Sequence, residues 1–373
     1  MNQIHRQSAD AATVRPCTDA DMPAVAAMFQ RNFRCGREPA PAELTAYLRA
    51  LFLDNPDHDP ELASRVFADA DGTVSGFIGI LPARMTIHGR PIRAAIAGSF
   101  MVDRPDANPL AGARLLRAFF AGPQELSISE SANPVSQAMW ERLGARVAGQ
   151  YSLEWLRVLR PAGFAVAMAA ERVAAARFGA GLGRAVDAIA GRLNPLALDD
   201  GRAQGVRGVD ADTDTIAGTL PGLAAGYALA PDWSARQLAW RLEHASLKAR
   251  HGPQVRRLVR GRGGAPVGCY VYYGRPGGIA WVLQVLANGR DFGLVVDDLL
   301  AHALESGCVA VRGKTCPGLG EALLTRRCLY FHRSSTVYRT ADPEVGAALT
   351  GGDALVTGLA GESWTRLIGH AFR

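Results

Sequence analysis

Residues 92–116 read IRAAIAGSFMVDRPDANPLAGARLL, a run that contains one strand, one loop and the start of one helix. From Ile92 to Val102 the residues are mostly small or apolar and Arg93 is the only charge, which predicts a long strand. A polar loop with two prolines follows. From Leu110 to Phe120 the apolar positions 115, 116, 119 and 120 recur at helical spacing, which predicts a helix.

The same kinds of element continue on both sides of this unit. Downstream we predict a strand at 126–129, a helix from Asn133 to Leu143 that Gly144 ends, and a long strand at 147–159. Upstream we predict a short strand, two helices and a hairpin that turns at Asp71-Gly72. The order β-α-α-β-β-β-α-β-α-β indicates a mixed sheet of the α/β or α+β class.

The length of 373 residues predicts two domains, each with its own core. Residues 1–12 are predicted to be a tail and residues 13–160 the N-terminal domain. Residues 161–205 are rich in alanine, glycine and arginine and are predicted to be a helical linker. The outline of the first half returns in residues 206–373, which are predicted to form a second domain. The repeat is one of architecture, without visible repetition of sequence.

The loop between Val102 and Leu116 resembles the acyl-CoA loop of the GNAT (N-acetyltransferase) superfamily. In that family a strand is followed by R/Q-x-x-G-x-G/A, which opens a helix ending in a Leu-Leu pair. The backbone N–H groups of the loop bind the pyrophosphate of acetyl-CoA, as helix N-termini bind anions generally. Here Ala107 and Leu110 replace the Arg or Gln and the first Gly, whereas Gly112 is retained.

A second segment, NPVSQAMWERLGA at 133–145, resembles the family pattern N-x-x-A/S-x-x-x-Y-x-x-x-G-F. In the family the Asn lies near the pantetheine, and the Tyr is often the general acid for the leaving thiolate. Asn133 matches, but the Tyr position holds Trp140, whose indole is not a useful acid. The alternative for Asn133 is a role as helix N-cap alone.

The resemblance implies two tandem GNAT-like domains of mixed sheets flanked by helices, with acetyl-CoA or another acyl-CoA as co-substrate and no metal. It implies a general base near the central strands, for which the candidates are Glu130 and Asp103; the alternative for each is a solvated loop residue. The residues expected to contact acyl-CoA are Phe100, Met101, Val102, Asn108, Gly112, Ala113, Asn133 and Trp140. Gly112 is expected to let phosphate oxygens approach the backbone.

The C-terminal half resembles the degenerate second repeat of tandem GNAT proteins. Its counterpart of the acyl-CoA loop, residues 287–293, has wrongly spaced glycines, so this half is expected to shape the acceptor pocket and not to bind CoA. The polar and aromatic residues considered for that pocket are Trp240, Arg241, Tyr270, Tyr272, Trp281, Gln284, His332, Glu362 and Trp364. Alternatively, Tyr270 and Tyr272 fill a sheet core, and His332 is structural.

Composition narrows the possible partners and the compartment. The net charge is +6, but the basic residues are scattered and only Lys248 and Lys314 are lysines, so a nucleic-acid partner is not expected. No pair among the six cysteines has C-x-x-C spacing, and no apolar run reaches the roughly 20 residues of a membrane span. A cytoplasmic protein with free thiols and no membrane association is expected.

The expected function is that of an acyl-CoA-dependent N-acyltransferase. It would move an acetyl or other acyl group to the amine, or a hydroxyl, of a small-molecule or carrier-bound acceptor. The alternative is a non-catalytic GNAT-like binding or scaffold protein. The departures from the family pattern at Ala107, Leu110 and Trp140 favour this alternative.

Overall fold

The computed structural model describes residues 12–34, 39–175, 206–261, 263–289, 291–367 and 372, and these residues form two mixed β-sheets with helices on their faces. The prediction of two mixed sheets is confirmed. In the first sheet, sheet A, the strand order is β1-β2-β3-β4-β5-β15-β6, with β9 paired to the end of β3. In sheet B the order is β14-β7-β13-β12-β11-β10-β8.

The strands have the following bounds. Those of the first half are β1 Thr13–Pro16, β2 Arg65–Ala68, β3 Val74–Ile87, β4 Arg90–Val102, β5 Leu126–Ala132, β6 Arg146–Val147 and β7 Leu153–Val158. Those of the second half are β8 Arg207–Asp210, β9 Leu229–Pro231, β10 Gln254–Arg260, β11 Pro266–Tyr273, β12 Ile279–Ala287, β13 Ala310–Lys314, β14 Leu329–His332 and β15 Ser335–Thr340.

The helices of the first half are α1 Met22–Arg34, α2 Ala42–Phe52, α3 Ala111–Phe120, α4 Pro134–Arg142 and α5 Pro161–Ala175. Those of the second half are α6 Thr213–Ala224, α7 Ala235–Ser246, α8 Phe292–Glu305, α9 Gly320–Thr325 and α10 Pro343–Gly351. Helix α5 covers the first part of the predicted linker, and residues 176–205 lie outside the described part of the chain.

Within each sheet, one strand from the other half of the sequence lies between two strands of the sheet's own half, and β9 of the second half also pairs with the end of β3. Strand β7 leaves the first half and lies between β13 and β14 of sheet B, while β15 lies between β5 and β6 of sheet A. The single strand predicted at 147–159 is therefore wrong: β6 ends at Val147, a short 3-10 turn spans Gly149–Tyr151, and β7 begins at Leu153. The turn carries the chain from one sheet to the other.

Helices cover both faces of sheet A, and the apolar residues of these helices pack against the sheet from opposite sides. Val25, Met28 and Phe29 of α1 are buried in the core that lies between sheet A and the C-terminal half. Leu115 and Leu116 of α3 are buried in a separate core on the other face. A gap in the sheet would therefore connect the α1 face with the α3 face.

Candidate functional site

The parallel strands β4 and β5 separate midway along their length. Only Ala94–Ile96 pairs with Leu126–Ile128, although β4 continues to Val102 and β5 to Ala132. Beyond the paired segment, the two strands no longer bond to each other. A gap therefore opens in sheet A between the ends of β4 and β5.

A bulge in β4 lies where the gap begins. Opposite β3, Gly98 pairs with Gly79 and Met101 with Phe77, so β4 has one residue more than its partner in this stretch. Ser99 has a φ of +51°, in the left-handed region that non-glycine residues rarely adopt. Bulges of this kind bend a strand and end its pairing, and they are common beside active sites.

Sheet B repeats this arrangement. The parallel strands β12 and β13 pair only at Ile279–Val282 and Ala310–Gly313, and β12 continues to Ala287 without β13, paired only with β11. Relative to β11, β12 has one extra residue at Leu283. The second half therefore has its own gap and its own bulge at the corresponding place.

A cavity of about 380 Å³ borders both gaps. Its wall combines the ends of β4 and β5 with residues of β12 and β13, the end of α1 and the C-terminal segment. The lining includes Phe29, Phe33, Arg34, 97–100, 129–133, Ser136, Trp140, Glu154, 281–285, Lys314, Cys316, Leu319, Arg333, Ser334, Thr357, Gly358, Glu362, Ser363 and Leu367.

Glu130, in β5, is almost completely buried, and the C-terminal segment surrounds its carboxylate. Oε1 accepts hydrogen bonds from Gly358 N (3.1 Å) and Ser363 Oγ (2.6 Å). Oε2 accepts from the backbone N–H groups of Glu362 (2.8 Å) and Ser363 (3.0 Å). Four donors satisfy both carboxylate oxygens, so Glu130 fixes residues 358–363 against sheet A.

Glu362 projects from this segment into the gap of sheet A. Its Oε1 accepts from Ser131 N (3.1 Å) and Ser131 Oγ (2.6 Å). Its Oε2 lies beside Gly98, only 2.7 Å from the position that a Cβ would take there. Burial raises the pKa of Glu362 to about 7, and the charge of Glu130 adds to this effect while Ser131 opposes it. The gap thus contains a carboxylate that exchanges its proton near neutral pH.

The only two lysines of the chain lie beside these glutamates. Lys314 Nζ donates to the backbone carbonyl of Glu130, and Lys248 Nζ donates to that of Ser363. Burial lowers the pKa of both lysines, that of Lys248 to about 8, while the charges of Glu130 and Glu362 act in the opposite direction. Two buried carboxylates and two buried amines therefore form one network.

Three of the residues expected to contact acyl-CoA line the cavity: Phe100, Asn133 and Trp140. Asn133 also caps α4, since its side chain accepts from Ser136 N at 2.8 Å. Trp140 is buried and packs edge-on against Phe120, with ring centroids 5.0 Å apart. The cap role considered for Asn133 is therefore present, and Asn133 borders the cavity as well.

The other five lie around the start of α3 or at the end of β4. Met101 is buried in the core, and Val102 is half-buried as the last residue of β4. Asn108 is in the loop, where its Nδ2 donates to Asp69 at 3.0 Å, and Gly112 and Ala113 are in the first turn of α3. None of these five belongs to the cavity lining.

The start of α3 has no side-chain cap and no acidic residue in its first turn. Such a terminus is suited to an anion. The space above Gly112 is filled, because a Cβ there would come within 2.6 Å of Met139 Cε and 3.2 Å of Phe100 Cζ. Side-chain packing is thus the reason that the structure gives for this glycine.

The two carboxylates proposed as general bases lie in different places. Glu130 lines the cavity, whereas Asp103 does not. Asp103 pairs with Arg31 of α1 and accepts from Asn32 Nδ2 at 2.9 Å. The structure therefore brings Glu130 together with Glu362 and leaves Asp103 bonded to α1.

Three residues considered for the acceptor pocket, Trp281, Gln284 and Glu362, line the cavity. Tyr270 and Tyr272 instead fill the core of sheet B, as their alternating spacing allowed. Sequence spacing could not single out Glu362, because its position depends on how the C-terminal segment folds back onto β5.

Within the described parts of the chain, no three His, Cys, Asp or Glu side chains lie close enough together to hold a metal ion. No helix among the described residues is long and apolar enough to cross a membrane.

Comparison with known proteins yields structures but no sequence relatives. No protein-family model and no curated protein matches the chain. A GCN5-related N-acetyltransferase from Anabaena variabilis ATCC 29413 matches with a TM-score of 0.57 and 12% identity, over 89% of this chain and 73% of that one. A GCN5-related N-acetyltransferase from Kribbella flavida matches with a TM-score of 0.55 and 13% identity, over 91% and 74%.

A third match is a conserved protein of unknown function from Enterococcus faecalis V583, described as a probable N-acyltransferase. Its TM-score is 0.55 at 12% identity, over 88% of this chain and 72% of that one. Each match extends over both sheets, since it covers most of the chain. The chain therefore has the fold of the GCN5-related N-acetyltransferases.

Proposed function

We propose that the chain is an acyltransferase that moves an acetyl or other acyl group from acyl-CoA to an amine. One observation carries this proposal. Strands β4 and β5 part beside a bulge, and the gap between them contains the buried carboxylate of Glu362. The fold adds support, because two of the structures that share it are GCN5-related N-acetyltransferases and the third is described as a probable N-acyltransferase.

The donor fits the gap in sheet A. Beyond Ile96 and Ile128 the strands do not pair with each other, so, apart from Ser131 N, which bonds to Glu362, their edges can bond to an extended ligand that carries amides, such as a pantetheine arm. The start of α3, which no side chain caps, lies on the face of sheet A opposite to α1 and offers N–H groups to the phosphates. In this proposal the thioester carbonyl lies at the bulge near Ser99, where backbone N–H groups would stabilise its developing negative charge.

Glu362 is the general base in this proposal. Its Oε2 lies beside Gly98, and no described residue donates a hydrogen bond to it. A pKa of about 7 suits a base that works at neutral pH. Glu362 takes the proton of the attacking amine as the new C–N bond forms and the C–S bond breaks, which releases the CoA thiolate.

Glu130 and the two lysines are positioning residues. Glu130 holds the backbone of Glu362 and Ser363, and Lys248 holds the carbonyl of Ser363. Lys314 holds the carbonyl of Glu130. These bonds fix the direction in which Glu362 points, and a displacement of about 1 Å can cost about 100-fold in rate. Asp103 has no part in this proposal.

We place this activity in the cytoplasm, with a small-molecule or carrier-bound acceptor and with neither nucleic acid nor membrane as a partner. The five described cysteines are all unpaired and buried, which accords with a reducing compartment. Burial raises the pKa of several of these thiols, among them Cys316 at the cavity to about 11, so the mechanism needs no thiolate of the protein.

The first test is release of CoA thiol from acetyl-CoA in the presence of a panel of primary amines. The parent protein should release thiol with at least one amine, and Glu362→Gln should lower the rate about 100-fold or more. The matched control is Glu243→Gln, because Glu243 is exposed on α7 and distant from the cavity lining. Equal rates for the parent and Glu362→Gln would remove Glu362 from the mechanism.

A second candidate is a non-catalytic protein that binds a ligand in the cavity. It is favoured by the packing at Gly112, where Met139 and Phe100 fill the space beside the glycine that was expected to admit a phosphate. Two measurements distinguish these candidates: the change in melting temperature on addition of CoA, and thiol release with the panel of amines. An enzyme shows a CoA-induced increase in melting temperature together with thiol release, whereas the binding protein shows no thiol release with any amine.

A further inference from the structure

Arg34, the last residue of α1, contributes a guanidinium to the cavity wall, and no carboxylate of the described residues neutralises it. Its Nη2 donates to the backbone carbonyl of Leu367 at 2.9 Å, and the group lies over the Phe29 ring at 4.9 Å. The Nε is buried, and no hydrogen-bond partner reaches it. Among the described residues, no Asp or Glu forms an ion pair with Arg34.

The surroundings of Arg34 make this arrangement costly. Burial and the charge of Arg250 together lower the pKa of Arg34 to about 10. A buried cation beside a second cation gains further stability when an anion is added. A bound anion would supply the missing partner for the Nε and relieve the repulsion.

A second arginine lies on the wall of the same cavity. Arg333 lies in the turn between β14 and β15, where the chain crosses from sheet B to sheet A. It is exposed, and within the described part of the chain it makes neither a hydrogen bond nor an ion pair. Its five donors are therefore free to bind a ligand.

The adjoining wall of sheet B also has cations nearby. The ring of Trp281, in the cavity wall, stacks on His251 with centroids 5.0 Å apart. Burial and then the charges of Arg250, Lys248, Arg312 and Arg275 lower the pKa of His251 to about 3. Arg312 pairs with Glu154, which also lines the cavity, so this wall carries both signs of charge, and Glu362 provides the carboxylate at the gap between β4 and β5.

We propose that the acceptor is a primary amine that also carries an anionic group, a carboxylate or a phosphate, and that Arg34 and Arg333 bind this group. The inference rests on the proposed function, since it describes the acceptor of that reaction. The amine lies at Glu362 and the anion at the arginines. Neutral amines of the same shape leave Arg34 without an anionic partner, and a site with unpaired buried groups rejects such analogues.

The test uses matched pairs of acceptors, with acetyl-CoA as the donor. An α-amino acid is compared with its carboxamide, and ethanolamine phosphate with ethanolamine. The charged member of at least one pair should have a kcat/KM at least about tenfold higher, because a hydrogen bond to a charged group is worth that much or more. Which pair shows the preference distinguishes carboxylate from phosphate.

Two arginine variants test the assignment. Arg333→Met removes an exposed side chain without hydrogen bonds, so the fold should be kept, and Arg34→Gln removes the buried charge. Each should lower the preference for the charged acceptor several-fold, and both together should bring it close to one, with the KM for acetyl-CoA unchanged. Arg236→Met is the matched control, since Arg236 is exposed on α7 and outside the cavity lining.

The inference is overturned if neutral and charged acceptors react equally well, or if the variants raise the KM for acetyl-CoA and leave the preference unchanged. The latter result would assign the arginines to the phosphates of CoA. Failure of the proposed function looks different, because then no amine releases thiol. In that case calorimetry with the amino acid and its carboxamide still decides, since only tighter binding of the acid supports the inference.

Discussion

At the scale of the residue, the account depends on where the protein holds the carboxylate of Glu362. One of its oxygens is bonded to Ser131, and the other lies against a glycine that leaves room for it. Burial raises its pKa to about 7, which makes it a suitable base and also makes its ionisation unfavourable for folding. Stability and the proposed catalysis at this residue are therefore coupled.

This coupling gives a prediction for pH. The folded protein holds the proton of Glu362 up to a pKa of about 7, whereas the unfolded chain releases it near the ordinary value of 4.5. Stability conferred by the protonated group is thus lost as the pH rises from about 4.5 to 7. Glu362→Gln has no such loss. The melting temperature of the variant minus that of the parent should therefore be larger at pH 8 than at pH 5. The control Glu243→Gln should not show this trend with pH. If Glu362→Gln also lacks the trend, the raised pKa is contradicted.

Gly98→Ala tests the space beside the carboxylate. The new Cβ would lie 2.7 Å from Oε2 of Glu362, so the carboxylate must move. We expect kcat to fall by about 100-fold, as misplaced catalytic groups do. In the double variant with Glu362→Gln the two losses should not add, because both act on the same group. Additive losses would show that Gly98 acts in some other way.

At the scale of the element, the C-terminal segment is the part that assembles the site. Its backbone bonds to Glu130 of sheet A and, through Leu359 N, to Gln284 of sheet B at 3.0 Å. The strands and the helix α3 could be predicted from apolar periodicity and from the turn residues between them. The bulges at Ser99 and Leu283 could not, because a bulge is set by the pairing with the neighbouring strand.

Gly358→Ala should release this segment. Gly358 has a φ of +69°, and a Cβ there would lie 2.4 Å from the carbonyl oxygen of Leu283, which β12 holds in place. Gly72→Ala is the control: Gly72 has a φ of +84° with no atom within 4 Å of the added Cβ, so it should cost only the strain of about 1–2 kcal/mol. In urea unfolding Gly358→Ala should cost clearly more and should also abolish thiol release. Equal costs would mean that the segment is not held tightly.

At the scale of the whole molecule, the two halves exchange a strand. Sheet A needs β15 from the second half, and sheet B needs β7 from the first. Sequence patterns predicted two mixed sheets with similar strand orders, because each half repeats the same succession of elements. They could not predict the exchange, since a strand pattern does not specify which sheet the strand joins. The candidate site was predictable only in part for the same reason: Glu130 directly follows the strand predicted at 126–129, whereas Glu362 comes from the far end of the described chain.

The exchange predicts that neither half folds alone. A fragment of residues 1–175 lacks β15 and leaves the edges of β5 and β7 unpaired, and such edges promote aggregation. We expect this fragment to be insoluble by itself and to become soluble when it is produced together with residues 206–373. A soluble, cooperatively unfolding fragment 1–175 would contradict the account of the exchange. The intact chain should unfold in one transition by far-UV circular dichroism and tryptophan fluorescence alike.

The central claim is that the gap in sheet A is an acyl-transfer site in which Glu362 takes the proton of the amine. The most direct test is the pH dependence of kcat for thiol release from acetyl-CoA, measured for the parent and for Glu362→Gln with the best amine of the panel. For the parent we predict a rate that rises with pH through about 7, because the base must be ionised. For Glu362→Gln we predict a rate that is lower by a factor of about 100 or more and that lacks the rising limb near pH 7. A variant that keeps both the rate and this limb would contradict the claim.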